Sequence, residues 1–249
     1  MKKATNQRKK RPRKKFTGRG PRRQSIPLYE PISQREKETV IDLITGGQTA
    51  EKALEVGLSA LIWADHTLAQ FDWGNELPRP IVCTEGCDHC CFNQVELTPP
   101  EALVIGHFVQ CHFPPEELER LLARAGESLQ GKAGKSQKEI ARIRQELPCP
   151  LLRGGKCSVY PVRPMVCRAM HSLDAGQCAS SLQAGDLASG AYYSQRHELV
   201  WAIARGLLAG CRAMGCQSAT LDLAQALQDY FRQPDPMAQW IRGETLFNF

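Results

Sequence analysis

Residues 83–91 read Cys83-Thr-Glu-Gly-Cys87-Asp-His-Cys90-Cys91 and hold four of the chain's eleven cysteines. Thiolates are soft, strong ligands for zinc, copper(I) and iron–sulfur clusters. A C-x3-C-x2-C-C spacing brings several of them within reach of one centre. The run therefore predicts a metal site, and the rest of the chain has to fold around it.

A second group of cysteines lies further along the chain, and it has features that a metal site needs. Cys149-Pro opens a predicted turn, and Cys157 follows the Gly154-Gly155 pair. Backbone N–H groups in such turns donate to thiolate sulfur and stabilise its charge. We expect the two groups to form one metal-binding region. Its predicted metal ligands are Cys83, Cys87, Cys90, Cys91, Cys149, Cys157, Cys167 and Cys178.

Other side chains near these cysteines have predicted supporting roles. Lys156, Arg163 and Arg168 are candidates to offset the thiolate charge, with an ordinary surface cation as the alternative for each. His89 and His171 are candidate nitrogen ligands or hydrogen-bond partners of the ligands. The remaining cysteines lie in or beside helical segments and are interpreted as core thiols; they are Cys111, Cys211 and Cys216.

The spacing favours an iron–sulfur cluster over zinc. Structural zinc sites use four cysteines, or three and a histidine, usually from two C-x2-4-C knuckles. Cys149 and Cys157 are too far apart to form the second knuckle, whereas iron–sulfur clusters accept more varied spacing. The triad C-x3-C-x2-C also occurs in radical S-adenosylmethionine enzymes, but the repeated βα units of that fold are not seen in this sequence.

Composition predicts a cytoplasmic protein. The cysteine count is odd, and the neighbours Cys90 and Cys91 have poor geometry for ordinary disulfides. The basic start is not followed by the apolar segment of a signal peptide. The longest apolar stretch, 199–211, is interrupted by Arg205 and is too short to cross a bilayer. We therefore expect reduced thiols and no membrane partner.

Charge is divided unevenly along the chain. Residues 1–23 carry twelve of the 32 Lys and Arg residues, so the remainder has 20 cations against 26 Asp and Glu and a net charge of −6. Residues 1–30 are predicted to be a disordered basic tail. Its charge allows weak contact with nucleic acid, the ribosome or another polyanion, and a solubilising or dispensable extension is the alternative. Phe16 is the only aromatic residue among residues 1–23.

The fold class predicted for the rest is mainly α. Apolar residues recur at helical spacing, Thr49 is a predicted N-cap, and Thr98 with Glu101 forms a predicted capping box. We expect one helical domain over 31–232 with a cysteine-cluster metal-binding core at about 80–180. This core includes a short β-hairpin across Gly154-Gly155. Residues 233–249 are predicted to form an irregular C-terminal tail packed by Trp240 and Phe247.

The combined pattern resembles a known family. C-x3-C-x2-C-C, followed by Cys-Pro-Leu-Leu-x2-Gly-x-Cys-Ser-Val-Tyr-x2-Arg-Pro-x2-Cys-Arg, is similar to the YkgJ-type cysteine-cluster proteins, which are described as zinc- or iron-chelating. The resemblance covers about residues 80–180. It implies that seven of the eight cysteines are the chelating set, with Cys178 just outside the motif, and that Arg163, Pro164 and Arg168 match its Arg-Pro-x2-Cys-Arg segment. A relative, the flagellin lysine methylase, implies that such a domain can support methylation.

Three functions are consistent with these observations. The first is a metal-binding protein with a redox-active centre. The second is a methylase-like or redox enzyme, because eight thiols exceed the four that one closed site needs. The third is a zinc-stabilised nucleic-acid or ribosome-associated module that uses the basic tail. The sequence defines no catalytic residue, P-loop or dinucleotide fingerprint, and nothing in it indicates an oligomeric state.

Overall fold

The computed structural model describes residues 29–185 and 190–248. The described part is mainly helical, as predicted, with ten α-helices and two small antiparallel sheets. The predicted disordered tail falls almost entirely on residues outside this range. The helices are α1 Glu30–Thr45, α2 Ala50–Gly74, α3 Pro99–His112, α4 Pro115–Lys132, α5 Gln137–Arg142, α6 Met165–Ala169, α7 Ala175–Ala184, α8 Ser194–Ala213, α9 Leu223–Arg232 and α10 Pro236–Ile241.

Two helix starts follow from local capping chemistry. The Thr49 side chain accepts a 3.3 Å hydrogen bond from the Lys52 N–H at the start of α2. At the start of α3, Glu101 accepts from the Thr98 N–H at 2.8 Å, which gives the capping box. Both predicted caps are confirmed, and they set where these two long helices begin.

One hydrophobic core joins most of the helices. Helix α1 packs along α8, α2 packs against α3 and α8, and α4 packs against α9. The segment predicted as an irregular C-terminal tail contributes to this core. Trp240 and Phe247 are fully buried, as expected, but α10 lies within the segment, so the prediction of an irregular tail is wrong there. Its helix starts on an Asp235 side chain that accepts from the Ala238 N–H.

Two helix ends lie near the second cysteine group. Helix α5 ends at Arg142 and is followed by a 3-10 turn over Arg144–Glu146. Helix α7 ends at Ala184, and its C-cap is Gly185, whose φ of +61° is left-handed. Helix α8 begins only at Ser194. These helix ends lie just before Cys149 and just after Cys178, so the chain changes direction on both sides of the second cysteine group.

Two short sheets position the cysteine-rich region. Strands β2 Leu152–Arg153 and β3 Lys156–Cys157 form the predicted hairpin, with Gly154 and Gly155 at φ values of +55° and +75°. Strands β1 Glu96–Leu97 and β4 Leu221–Asp222 form a second pair that the sequence did not predict. This second pair ties the chain after the first cysteine run to the start of α9.

No described helix combines the length and apolar character needed to cross a membrane.

Candidate metal centre

The first cysteine run folds as a turn followed by a short helix. The Cys87 N–H donates to the Thr84 carbonyl at 3.1 Å, and Gly86 lies at φ +87° inside this turn. A side chain at that position would be strained, so the glycine permits the three-residue spacing between Cys83 and Cys87. A 3-10 helix over His89–Phe92 then presents the adjacent cysteines.

The second cysteine group is joined directly to the first. The Cys149 N–H donates a 2.7 Å hydrogen bond to the Cys91 carbonyl. The β2–β3 hairpin follows at once and carries Cys157. Helix α6 carries Cys167. Its first residue is held by buried Glu101, whose carboxylate accepts a hydrogen bond from the Met165 N–H at 2.7 Å. Three separate chain segments therefore meet at one place.

Four thiols are mutual neighbours, and we call them the inner thiol set: Cys90, Cys149, Cys157 and Cys167. Each of the six pairs interacts electrostatically, because a thiolate on one member raises the pKa of another. The set draws one member from the first run and three from the second group. In the described ranges, no group of three or more Cys, His, Asp or Glu side chains is arranged so that it could hold a metal ion. The four thiols are therefore near one another but do not form a complete coordination shell.

Burial is the largest cause of the raised pKa values in this set. It raises the pKa of Cys149 to about 11, with the charges of Cys157 and Cys90 adding to it. It likewise raises the pKa of Cys167 well above the ordinary value. For Cys90 the largest cause of the raised pKa is a hydrogen bond with the Cys91 thiol, followed by burial. Without a cation these thiols hold their protons.

Backbone N–H groups point at the sulfurs of Cys149 and Cys157, as the turn prediction required. Those of Leu151 and Leu152 stabilise the Cys149 thiolate and so lower its pKa. The N–H of Val159 does the same for Cys157. Such donors are a common support of thiolate ligands in metal sites.

The remaining predicted ligands lie beside the inner set. We call Cys83, Cys87 and Cys178 the outer thiol set. Burial raises the pKa of Cys83, and the charges of Cys87, Cys90 and Cys178 add to this rise. The Ser172 N–H donates to the Cys83 sulfur at 3.3 Å, and this hydrogen bond lowers the pKa of Cys83. The structure thus connects all the predicted cysteine ligands through neighbouring thiols.

The adjacent cysteines Cys90 and Cys91 both lie in the 3-10 helix, and the Cys91 thiol is the largest cause of the raised pKa of Cys90. Cys91 therefore stands next to the inner set, and its backbone carbonyl is the group that holds Cys149.

Two of the three predicted cations support the thiols. Arg163 and Arg168 lower the pKa of Cys157, against the larger raising effect of burial. Arg168 is buried, forms an ion pair with Asp65, and donates to the Arg163 carbonyl at 2.9 Å. Lys156 instead pairs with Glu85 at 2.6 Å at an exposed position, which is the surface-cation alternative.

One of the two predicted nitrogen ligands, His171, is engaged in hydrogen bonds away from the thiols. Both ring nitrogens of His171 are used: Nε2 accepts from the Tyr193 N–H at 2.8 Å, and Nδ1 donates to the Ala169 carbonyl at 2.8 Å. Helix α6, which carries Cys167, ends at Ala169, before His171. His89 lies in the wall of a cavity that Cys90 and Cys178 share.

The other cysteines are separate from this region. Cys211 and Cys216 are buried, as predicted for core thiols. Cys111 is exposed on α3, so that prediction is wrong for it. Sequence reasoning missed two supporting residues: Glu101 was recognised only as a cap, and Ser172 carried no motif. All eleven cysteines are free thiols.

Residues 82–184 match a family model named for a CxxCxxCC motif and described as "Putative zinc- or iron-chelating domain". The matched stretch contains every cysteine of the inner and outer thiol sets. The model's name has two residues between its first cysteines, whereas this chain has three between Cys83 and Cys87. No curated protein and no solved structure matches the chain.

Proposed function

We propose that this protein binds an iron–sulfur cluster through the inner thiol set, and that this centre is redox-active. The observation that carries the proposal is the set of four mutually neighbouring thiols, Cys90, Cys149, Cys157 and Cys167. Four thiolates are the usual ligands of such clusters. The donors fit the group, because they are soft sulfurs with N–H donors directed at two of them.

The spacing of the inner set supports a cluster over zinc. No two of its members stand in a C-x2-4-C knuckle, which is the usual zinc arrangement. The inner and outer thiol sets together hold seven thiols, which exceeds the four that a single four-coordinate metal takes. We propose that Cys83, Cys87 and Cys178 hold a second metal or serve as accessible thiols beside the first. A bound cluster would supply one-electron chemistry, and the chain's N–H donors and arginines would tune its charge.

The test is anaerobic purification followed by metal and sulfide analysis, absorbance and electron paramagnetic resonance. We expect iron with inorganic sulfide in the wild type and its loss in Cys167→Ser. Cys216→Ser is the matched control, since that thiol is buried outside the site. One zinc without iron, even after reconstitution, would overturn the cluster and leave a structural zinc site.

The two thiol sets predict different outcomes on substitution. Cys178→Ser should leave the inner centre and its spectrum in place and remove only a second metal, if one is bound. Cys157→Ser should remove the inner centre. Equal loss from both substitutions would mean that all the thiols serve one site.

The nucleic-acid alternative depends on the basic residues 1–23, which lie outside the described part. Deleting them should abolish salt-sensitive RNA binding if that function is correct. A body with net charge −6 does not favour such binding by itself.

A further inference from the structure

A cavity of about 330 Å³ opens directly beside the thiols. Its size is in the range of small-molecule sites. Cys90 of the inner thiol set and Cys178 of the outer set both line it. A molecule in this space would therefore lie next to both groups of thiols.

One wall of the cavity consists of four aromatic rings, which we call the aromatic wall: His171, Tyr192, His197 and Trp201. The His197 ring lies edge-on to Trp201 at a centroid distance of 5.9 Å and to Tyr192 at 5.0 Å. The His171 ring lies 5.5 Å from His197. Val166 and Met170 of the α6 region add an aliphatic surface.

The wall is held in place and is neutral in character. His171 is fixed by hydrogen bonds at both ring nitrogens and stacks on Tyr193 at 5.9 Å with an angle of 10° between the planes. Burial lowers the pKa of His197 to about 4, with the nearby His171 and Arg196 adding to this. A fixed wall of uncharged rings favours flat, uncharged ring systems through offset and edge-to-face packing.

Polar side chains also line the cavity. The Arg144 guanidinium donates to the Ser181 hydroxyl at 2.9 Å and to the Asn93 amide oxygen. A few polar groups in a largely apolar cavity are what orient a small organic ligand. The preferred ligand is therefore a ring system that carries one polar substituent.

We propose that this cavity binds a planar aromatic small molecule against the aromatic wall and places it beside Cys90 and Cys178. The metal centre would then have a bound organic molecule as its neighbour. It would be a functional site and not a purely structural one. This second part rests on the proposed function, whereas binding in the cavity does not.

The test uses 2-naphthol as the probe and decahydro-2-naphthol as its saturated, non-planar counterpart. Calorimetry on the full chain should show that 2-naphthol binds and that the saturated alcohol binds about threefold to tenfold more weakly, which is the range expected for losing ring packing. In protein with ¹⁵N-labelled tryptophan, the indole N–H signal of Trp201 should shift. That of Trp73, which is 88% exposed, should not.

Two variants locate the site. Trp201→Leu removes part of the aromatic wall, and Met170→Trp fills the cavity. Both should weaken 2-naphthol binding at least tenfold, while Trp73→Leu should leave it unchanged. If Trp201→Leu does not fold, Met170→Trp and the saturated alcohol still decide. Equal affinity for the two alcohols, or undiminished binding to Met170→Trp, would overturn the proposal.

Metal-free protein prepared with a chelator separates this proposal from the one about the cluster. Binding of 2-naphthol there supports the cavity even if no metal centre exists. In metal-loaded protein, 2-naphthol should change the electron paramagnetic spectrum of the centre. An unchanged spectrum with proven binding would overturn the placement beside Cys90.

Discussion

The backbone N–H of Cys149 donates a 2.7 Å hydrogen bond to the carbonyl of Cys91. This bond joins the two cysteine groups through the main chain, independently of any metal. It places Cys149 and the hairpin that follows it against the 3-10 helix that carries Cys90. The protein thus assembles the neighbourhood of the thiols by folding, and a metal has only to draw the sulfurs together.

Metal binding should protect particular amides from hydrogen exchange. The N–H groups of Val159 and Ser172 point at the sulfurs of Cys157 and Cys83. A metal-bound thiolate is a stronger acceptor than a thiol, because it carries charge. Exchange at these two amides, followed by NMR with and without metal, should slow by about tenfold or more, as for a local stabilisation of over 1.4 kcal/mol.

The Ile140 amide is the control for this experiment. It bonds to the Ser136 carbonyl in α5, away from the thiols, and its rate should not change. Equal slowing at Ile140 would show general stabilisation of the fold instead of sulfur-directed bonding.

Glu101 should contribute to stability far more than a cap alone. Its carboxylate accepts from the Thr98 N–H and hydroxyl and from the Met165 N–H, and it is 2% exposed. Glu101→Ala leaves buried donors unpaired, at a cost of about 1–3 kcal/mol. Because Met165 begins the helix that carries Cys167, bound metal should fall as well. Urea denaturation and metal analysis measure the two effects.

The chain offers a matched control in Glu139, which makes the same capping box with Ser136 at an exposed site. Glu139→Ala should cost about 1 kcal/mol or less and leave metal content unchanged. A similar loss of stability and metal in both variants would refute the special role of Glu101.

The sequence predicted local features well where their chemistry is local. The Thr49 cap, the Thr98–Glu101 box and the Gly154-Gly155 hairpin each depend on a few neighbouring residues. The cysteines that meet were also predictable, because the residue types themselves carry the chemistry. Their grouping was not, since it depends on which segments pack together. Cys90 interacts with Cys167 only through the tertiary fold.

The cavity and its aromatic wall also depend on contacts between distant segments, which the sequence alone does not predict. His171 was predicted as a ligand or partner of ligands because it follows Cys167 in sequence. The Tyr193 N–H, which comes from a distant segment, donates a hydrogen bond to the His171 ring. His171 therefore belongs to the aromatic wall of the cavity. Likewise α10 was missed because six residues with a proline at the first turn give little periodicity.

Close packing of α1 on α8 should make Gly206 intolerant of a side chain. A Cβ there would lie under 3.0 Å from the Ser33 carbonyl oxygen and from the Glu36 side chain. Gly206→Ala should therefore destabilise the protein by about 1–3 kcal/mol, despite the better helix propensity of alanine. Thermal or urea denaturation measures this change.

Gly126 in α4 is the matched control. A Cβ there would meet only the Gln228 amide nitrogen, at 3.8 Å. Gly126→Ala should stabilise the protein by up to about 1 kcal/mol. Opposite signs for the two substitutions are expected, and the same sign for both would contradict the close approach of α1 and α8.

Glu36 should make stability depend on pH. It is 1% exposed in the α1–α8 interface, and its Oε1 has no hydrogen-bond partner among the described residues. Burial raises the pKa of this carboxyl from 4.5 to about 7. The folded state therefore holds a proton that the unfolded chain has released. The contribution of this raised pKa to the free energy of unfolding is complete below pH 4.5 and is lost as pH rises through 7.

Glu36→Gln removes this titration and keeps the shape of the side chain. The free energy of unfolding of the wild type, relative to this variant, should fall by about 3 kcal/mol between those two pH values and then level off. Urea denaturation of both proteins across the range measures the difference. Because His171 and His197 titrate in both proteins, their effects cancel in the comparison, and a constant difference would show that Glu36 ionises normally.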